Sequence, residues 1–172
     1  MRGARSGFPG SRKSEGPGDD GFRERGARMY REIRKGRTIM GRLAKGVDLL
    51  AALEQVCRET GVNLGELTAI GAVSKARVGY YDQERRVYAF EQWDRPLEIL
   101  SLAGNVSLKD GGPFVHAHVT LADDRGRGFG GHLAEGTAVF ACEFVLREYL
   151  SEKEYVRAPD ADTGLSLWKD AG

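Results

Sequence analysis

His116, His118 and His132 are all the histidines of this 172-residue chain. Neutral imidazole nitrogens bind Zn, Cu, Fe and Ni, and three of them leave a zinc ion with one position open. The chemistry they suggest is metal binding, with zinc, held at about 2.0–2.1 Å from each nitrogen, the first candidate. The alternative is three ordinary strand and turn histidines, solvated or hydrogen-bonded to backbone.

Convergence depends on the elements that carry them. Along an extended Phe114–Leu121, side chains alternate, so His116, His118 and Thr120 share one face while Val115, Ala117, Val119 and Leu121 share the other. Asp123, Asp124, Arg125 and Gly126 form a turn cluster. If Asp124, Arg125 and Gly126 make a three-residue loop with Gly126 left-handed, the hairpin register sets His132 opposite His118. Directly opposed Cβ atoms lie about 4.5–5.5 Å apart, within reach of a shared ion. A slip of one residue would send His132 to the other face.

Length and composition frame this hairpin. The chain is long enough for one domain with its own core, and its 41% hydrophobic and 30% charged residues are those of a globular protein. Cys57 and Cys142 lie far apart without metal-type or redox-type spacing, so both are expected as reduced, buried residues. No run approaches the length of a membrane span, and no apolar segment follows the N-terminal arginines. These features predict a cytoplasmic protein without membrane association.

The net charge of +1 hides an asymmetry: residues 1–37 hold eleven Lys or Arg against five Asp or Glu, whereas residues 38–172 hold fifteen against twenty. Residues 1–28, rich in Gly, Ser, Pro and charge, read as a disordered basic tail. Such a tail can hold nucleic-acid phosphates weakly and in a salt-dependent way; the acidic remainder argues against a large DNA-binding face.

Within residues 29–150, Tyr30–Lys35 and Thr38–Leu43 read as short strands. A helix follows to about Thr60, with Asp48 as N-cap, Gly61 as terminator and Leu49, Leu50, Leu53, Val56 and Cys57 as its apolar stripe. Leu67–Ser74, Ala76–Tyr81, Val87–Phe90, Leu97–Ser107, Phe114–Leu121, Gly128–Leu133 and Thr137–Tyr149 read as strands. One helix and many strands joined by turns predict an α+β domain with a largely antiparallel sheet. Residues 151–172 are left as an extension that packs on the domain or trails from it.

The ordered set Gly46–Leu50, Gly71–Val73, Leu97–Asn105, Pro113–His118 and Gly130–Leu133 resembles the plants-and-prokaryotes conserved (PPC) domain, over about Tyr30 to Tyr149. The resemblance implies a compact α+β domain that assembles as a homotrimer, and a metal site on His116, His118 and His132. In plants such domains follow AT-hooks in DNA-binding proteins. Here the AT-hook's arginine-glycine-arginine-proline core is absent, and only the second half of the plant partner-binding motif survives, in Arg95–Leu100.

Two carboxylates are candidates for a base beside the metal. Glu98 sits on an alternating strand, where a salt bridge or an interface contact is the plainer role; Glu135 follows the Gly130–Leu133 run, where a solvated turn is. Gly126, Gly128 and Gly131 match a dinucleotide fingerprint in spacing alone, since no helix follows them. The function expected is therefore a trimeric binding or regulatory module with a three-histidine metal site. The alternative is a metal-dependent hydrolase or lyase.

Overall fold

The structure, a computed structural model, describes residues 29–170. The expected basic tail at residues 1–28 lies outside the described residues. All the named elements belong to the unit that begins at Glu32.

In chain order these are β1 (Arg34–Leu43), α1 (Leu49–Thr60), β2 (Gly65–Asp82), β3 (Val87–Trp93), β4 (Leu97–Lys109), β5 (Gly112–Ala122), β6 (Gly128–Leu133), β7 (Ala138–Leu150), β8 (Tyr155–Pro159) and β9 (Ser166–Asp170). The helix starts where Asp48 accepts the Ala51 N–H at 3.0 Å and stops where Gly61 turns left-handed at φ 70°. Asp48 also accepts the Gly136 N–H at 2.7 Å, which fixes the helix start against the turn before β7. Leu49, Leu53 and Cys57 are buried from the helix, with Leu50 and Val56 packed beside them. Each fully buried leucine contributes roughly 1.5–3 kcal/mol through removal of apolar surface from water.

The strands form one sheet, antiparallel except where β8 meets β4. Its order runs β1-β7-β2-β6-β5-β4-β8-β9, and β2 pairs again with β4, so β2, β6, β5 and β4 close into a ring. With a single helix the domain is mostly β, an α+β fold only in that narrow sense. Leu67, Leu102, Leu121, Val139 and Leu146, all at most 1% exposed, lie at the centre of the core.

Several strands are longer than their apolar patterns predict. Leu67–Ser74 and Ala76–Tyr81 are one 18-residue strand, because shifts in its pairing with β4 and β7 absorb the irregular residues between Ala69 and Lys75. Gly71 lies at φ 143° against the Ala141 carbonyl, where a side chain has no room. The first two predicted strands are likewise one, from Arg34, with a register shift between Lys35 and Thr38. Arg37, at that shift, donates to Glu148 from its backbone N–H at 3.0 Å and from its guanidinium at 2.7 and 2.8 Å. The extension after Leu150 contains the β8–β9 hairpin, which joins the sheet where Val156 pairs with Leu108. Cys57 and Cys142 are free and buried, and burial pushes each thiol up to about 11. Among the described residues, no helix is long and apolar enough to cross a membrane.

Candidate metal centre

The hairpin between β5 and β6 closes as its turn residues predict. Asp123 N–H donates to the Arg127 carbonyl at 3.2 Å, Gly126 N–H to the Asp123 carbonyl at 2.9 Å, and Gly126 is left-handed at φ 72°. The buried Asp123 carboxylate fixes this loop from inside, accepting the Arg125 and Arg127 N–H groups at 3.0 Å each and the Arg127 Nε–H at 2.8 Å. These donors, with the Arg127 guanidinium first among them, hold its carboxyl down at about 2. From this turn the ladder runs Ala122 to Gly128, Leu121 to Phe129, Thr120 to Gly130, Val119 to Gly131 and His118 to His132.

Alternation on β5 is as expected, with Val115, Ala117, Val119 and Leu121 at most 3% exposed and the histidines on the opposite face. His116 is one step further along that face, opposite Asn105 of β4. The three rings enclose a common point, with centroids 5.4 Å apart for His116 and His118, 5.1 Å for His116 and His132, and 5.5 Å for His118 and His132. One nitrogen of each lies within 4.8 Å of the others. Burial, followed by Arg157, His132 and His118, holds the His116 ring down at about 4; burial, followed by His118 and Arg157, lowers His132 as well. Neutral rings are the form that binds metal.

A metal ion fits these residues on a separate ground. His132 Nδ1 is buried and has no hydrogen-bond partner among the described residues. An orphaned ring nitrogen inside a cluster of imidazoles is costly unless something not made of protein satisfies it. A metal ion bound through the ring lone pairs would meet that need.

Beside His116 and His132 lies a cavity of about 300 Å³, lined by these two rings, Tyr88, Lys109, Arg86 and Arg157 together with the β8–β9 loop. Tyr88 of β3 packs on the His132 ring at 5.0 Å. Arg157 of β8 reaches inward with its Nη2 3.4 Å from His116 Nδ1, and burial lowers its pKa from the ordinary guanidinium value. Sequence reasoning passed over both Tyr88 and Arg157. Arg157 shares a strand face with Tyr155, and both are buried, so the Tyr155-Val156-Arg157-Ala158 alternation was the available signal.

The two carboxylates are elsewhere. Glu98 pairs with Ala122 at the far end of the β4–β5 ladder and lines a second cleft with Ser74, Pro96, Asp123 and Phe140. Glu135 is an exposed turn residue whose backbone carbonyl accepts from Arg77 at 3.2 Å. Neither lines the cavity beside the histidines.

Comparison with known proteins agrees with this architecture. The chain is 45% identical to a metal-containing protein from Archaeoglobus fulgidus, whose crystal structure superposes with a TM-score of 0.76 over 81% of this chain and 97% of that one. A plant- and prokaryote-conserved protein from Pyrococcus horikoshii is 38% identical, with a TM-score of 0.76 over 82% and 96%. A candidate DNA-binding protein from Ralstonia eutropha JMP134 is 28% identical, with a TM-score of 0.67 over 76% and 89%. Curated relatives are the bifunctional proteins GlmU of two Synechococcus strains, one 38% identical over 125 residues; the match takes in 72% of this chain and 19% of that relative, so the chain spans about a fifth of its curated relatives' length. The model of the Plants and Prokaryotes Conserved (PCC) domain matches residues 30–150, and the chain belongs to that family.

Proposed function

We propose that this protein is a trimeric binding or regulatory module of the PCC type, built around a divalent metal, zinc first, held by His116, His118 and His132. One observation carries the reading: three imidazole nitrogens lie within 4.8 Å of one another, and one of the rings also has a buried nitrogen without a partner among the described residues. An ion held there by His116, His118 and His132 would supply Lewis acidity toward an oxygen-bearing ligand. Similarity to a metal-containing archaeal protein supports the site, and similarity to a candidate DNA-binding protein supports a role at DNA.

For DNA the contact assigned is the basic N-terminal tail, because the rest of the chain is acidic in balance. For the trimer, the support is an apolar groove of about 700 Å³ on the sheet, where Met40 is 77% and Ile70 58% exposed. Exposed apolar surface of this kind marks a protein contact, and the occupant assigned here is a second copy of the chain. The reduced cysteines are consistent with a cytoplasmic location.

A metal-dependent hydrolase or lyase is the second reading, favoured by the cavity beside His116 and His132. Its weakness is chemical: among the described lining residues there is no carboxylate to serve as general base.

Metal analysis of the purified protein tests the centre. About one ion per chain is expected in the wild type, with an affinity at least about tenfold weaker in His118→Ala; a wild type that takes up no ion overturns it. Deleting residues 1–28 should abolish salt-sensitive retention on DNA while leaving metal content unchanged. Undiminished retention counts against the tail.

A further inference from the structure

Arg157 is 9% exposed, yet among the described residues no carboxylate pairs with it. Its acceptors are neutral: Ser107 Oγ at 2.9 Å, the Ser166 carbonyl at 2.9 Å and Asn105 Oδ1 at 2.8 Å. Phe114 and Trp168 flank the guanidinium, their ring centroids 5.4 and 5.5 Å from its central carbon. One N–H on Nη1 has no acceptor among the described residues. A buried cation left with neutral partners is expensive unless an anion joins it.

The surroundings add positive charge. Lys109 and Arg86 line the same cavity, and among the described residues no Asp or Glu does. Three neutral imidazoles would leave a divalent ion its whole charge a short distance from Arg157. The wall that encloses this charge is the β8–β9 hairpin, which lies beyond the residues matched by the family model. It is fastened on both sides: Arg157 ties it to β4, Tyr81 Oη donates to the Thr163 carbonyl at 2.7 Å, and Arg86 Nη1 donates to the Ala161 carbonyl at 3.0 Å. A fastened wall makes a formed pocket. At about 30 Å³ per water, 300 Å³ holds about ten waters, which suits a small metabolite and not a polymer.

We propose that this cavity binds a small oxyanion, a molecule carrying a carboxylate or phosphate group, with Arg157 as its buried counter-charge and Lys109 as a second cation on its wall. The ligand's second attachment, to a metal on the histidines, rests on the reading given above; the counter-charge role of Arg157 does not.

Calorimetric titration of the full chain with malonate and, separately, with inorganic phosphate tests this, on zinc-loaded and on metal-stripped protein. The two anions distinguish a carboxylate from a phosphate ligand. Binding of at least one of them is expected, weakened at least tenfold in Arg157→Gln while zinc content and circular dichroism stay as in the wild type. Equal binding by Arg157→Gln, or no binding of either anion by the wild type, overturns the proposal. Should Arg157→Gln fail to fold, Lys109→Ala decides: a several-fold loss supports the pocket, and unchanged affinity overturns it. If the chain takes up no zinc but the stripped protein still binds an anion through Arg157, the metal reading fails and this one stands. If zinc binds and the anions do not, the reverse holds.

Discussion

His118 and His132 face each other across the β5–β6 ladder, ring centroids 5.5 Å apart, because Asp123 fixes the turn that lies between them. The register of that hairpin decides whether the rings meet, since a slip by one residue reverses the face of every side chain on β6.

Asp123→Ala should therefore weaken metal binding without removing a ligand. The loop loses the acceptor for the Arg125 and Arg127 N–H groups, and the strand ends are freer to slip. A drop in metal affinity of about tenfold is expected, the scale of groups that orient metal ligands. Competition with a chromophoric chelator measures it; unaltered affinity would show that the ladder holds its register without the turn.

Gly130→Ala tests the same hairpin from the other strand. A Cβ on Gly130 would collide with the Val119 carbonyl, which is backbone and cannot step aside. Strain of about 1–3 kcal/mol is expected, read by chemical denaturation, together with loss of bound metal. Full stability with full metal content would contradict this packing.

Glu148 accepts two guanidinium N–H groups and one backbone N–H from Arg37, and these bonds hold its carboxyl down at about 2. A carboxylate with a lowered folded pKa stabilises the fold at every pH above its ordinary value of 4.5 and loses that contribution as pH falls through about 2. Glu148→Gln should lower Tm at pH 7 by about 2–4 °C, a modest effect because Arg37 is largely exposed. Thermal scans from pH 7 to 2 should show the gap between wild type and variant constant down to about pH 5 and shrinking below it. A gap that widens with acid would sink the assignment.

Ile70→Asp puts a charge in the middle of the apolar groove on the sheet. Multi-angle light scattering should find three times 18.9 kDa for the wild type and a shift toward 18.9 kDa for the variant. A wild type that runs as a monomer rules out the trimer.

Some of the site was legible from residue order alone. The Gly128–Leu133 strand, the β5 alternation and the left-handed Gly126 are local facts, fixed by turn chemistry and the two-residue period of a strand, and from them His118 was set opposite His132. The helix ends were legible for the same reason, since Asp48 and Gly61 act within one turn of themselves. The length of β2 was not, because its irregular middle is tolerated only by pairing partners from β4 and β7 that are remote in sequence.

The primary structure by itself settled which side chains could bind a metal, which face of which strand they occupy and which turn aligns them. Only the folded chain decided what stands around them: it brought Tyr88 from β3 and Arg157 from β8 to the histidines and carried Glu98 and Glu135 away. Turn geometry and strand alternation act over a few residues, whereas the closure of β2, β6, β5 and β4 and the docking of β8 on β4 join segments tens of residues apart, where no local pattern records the partner.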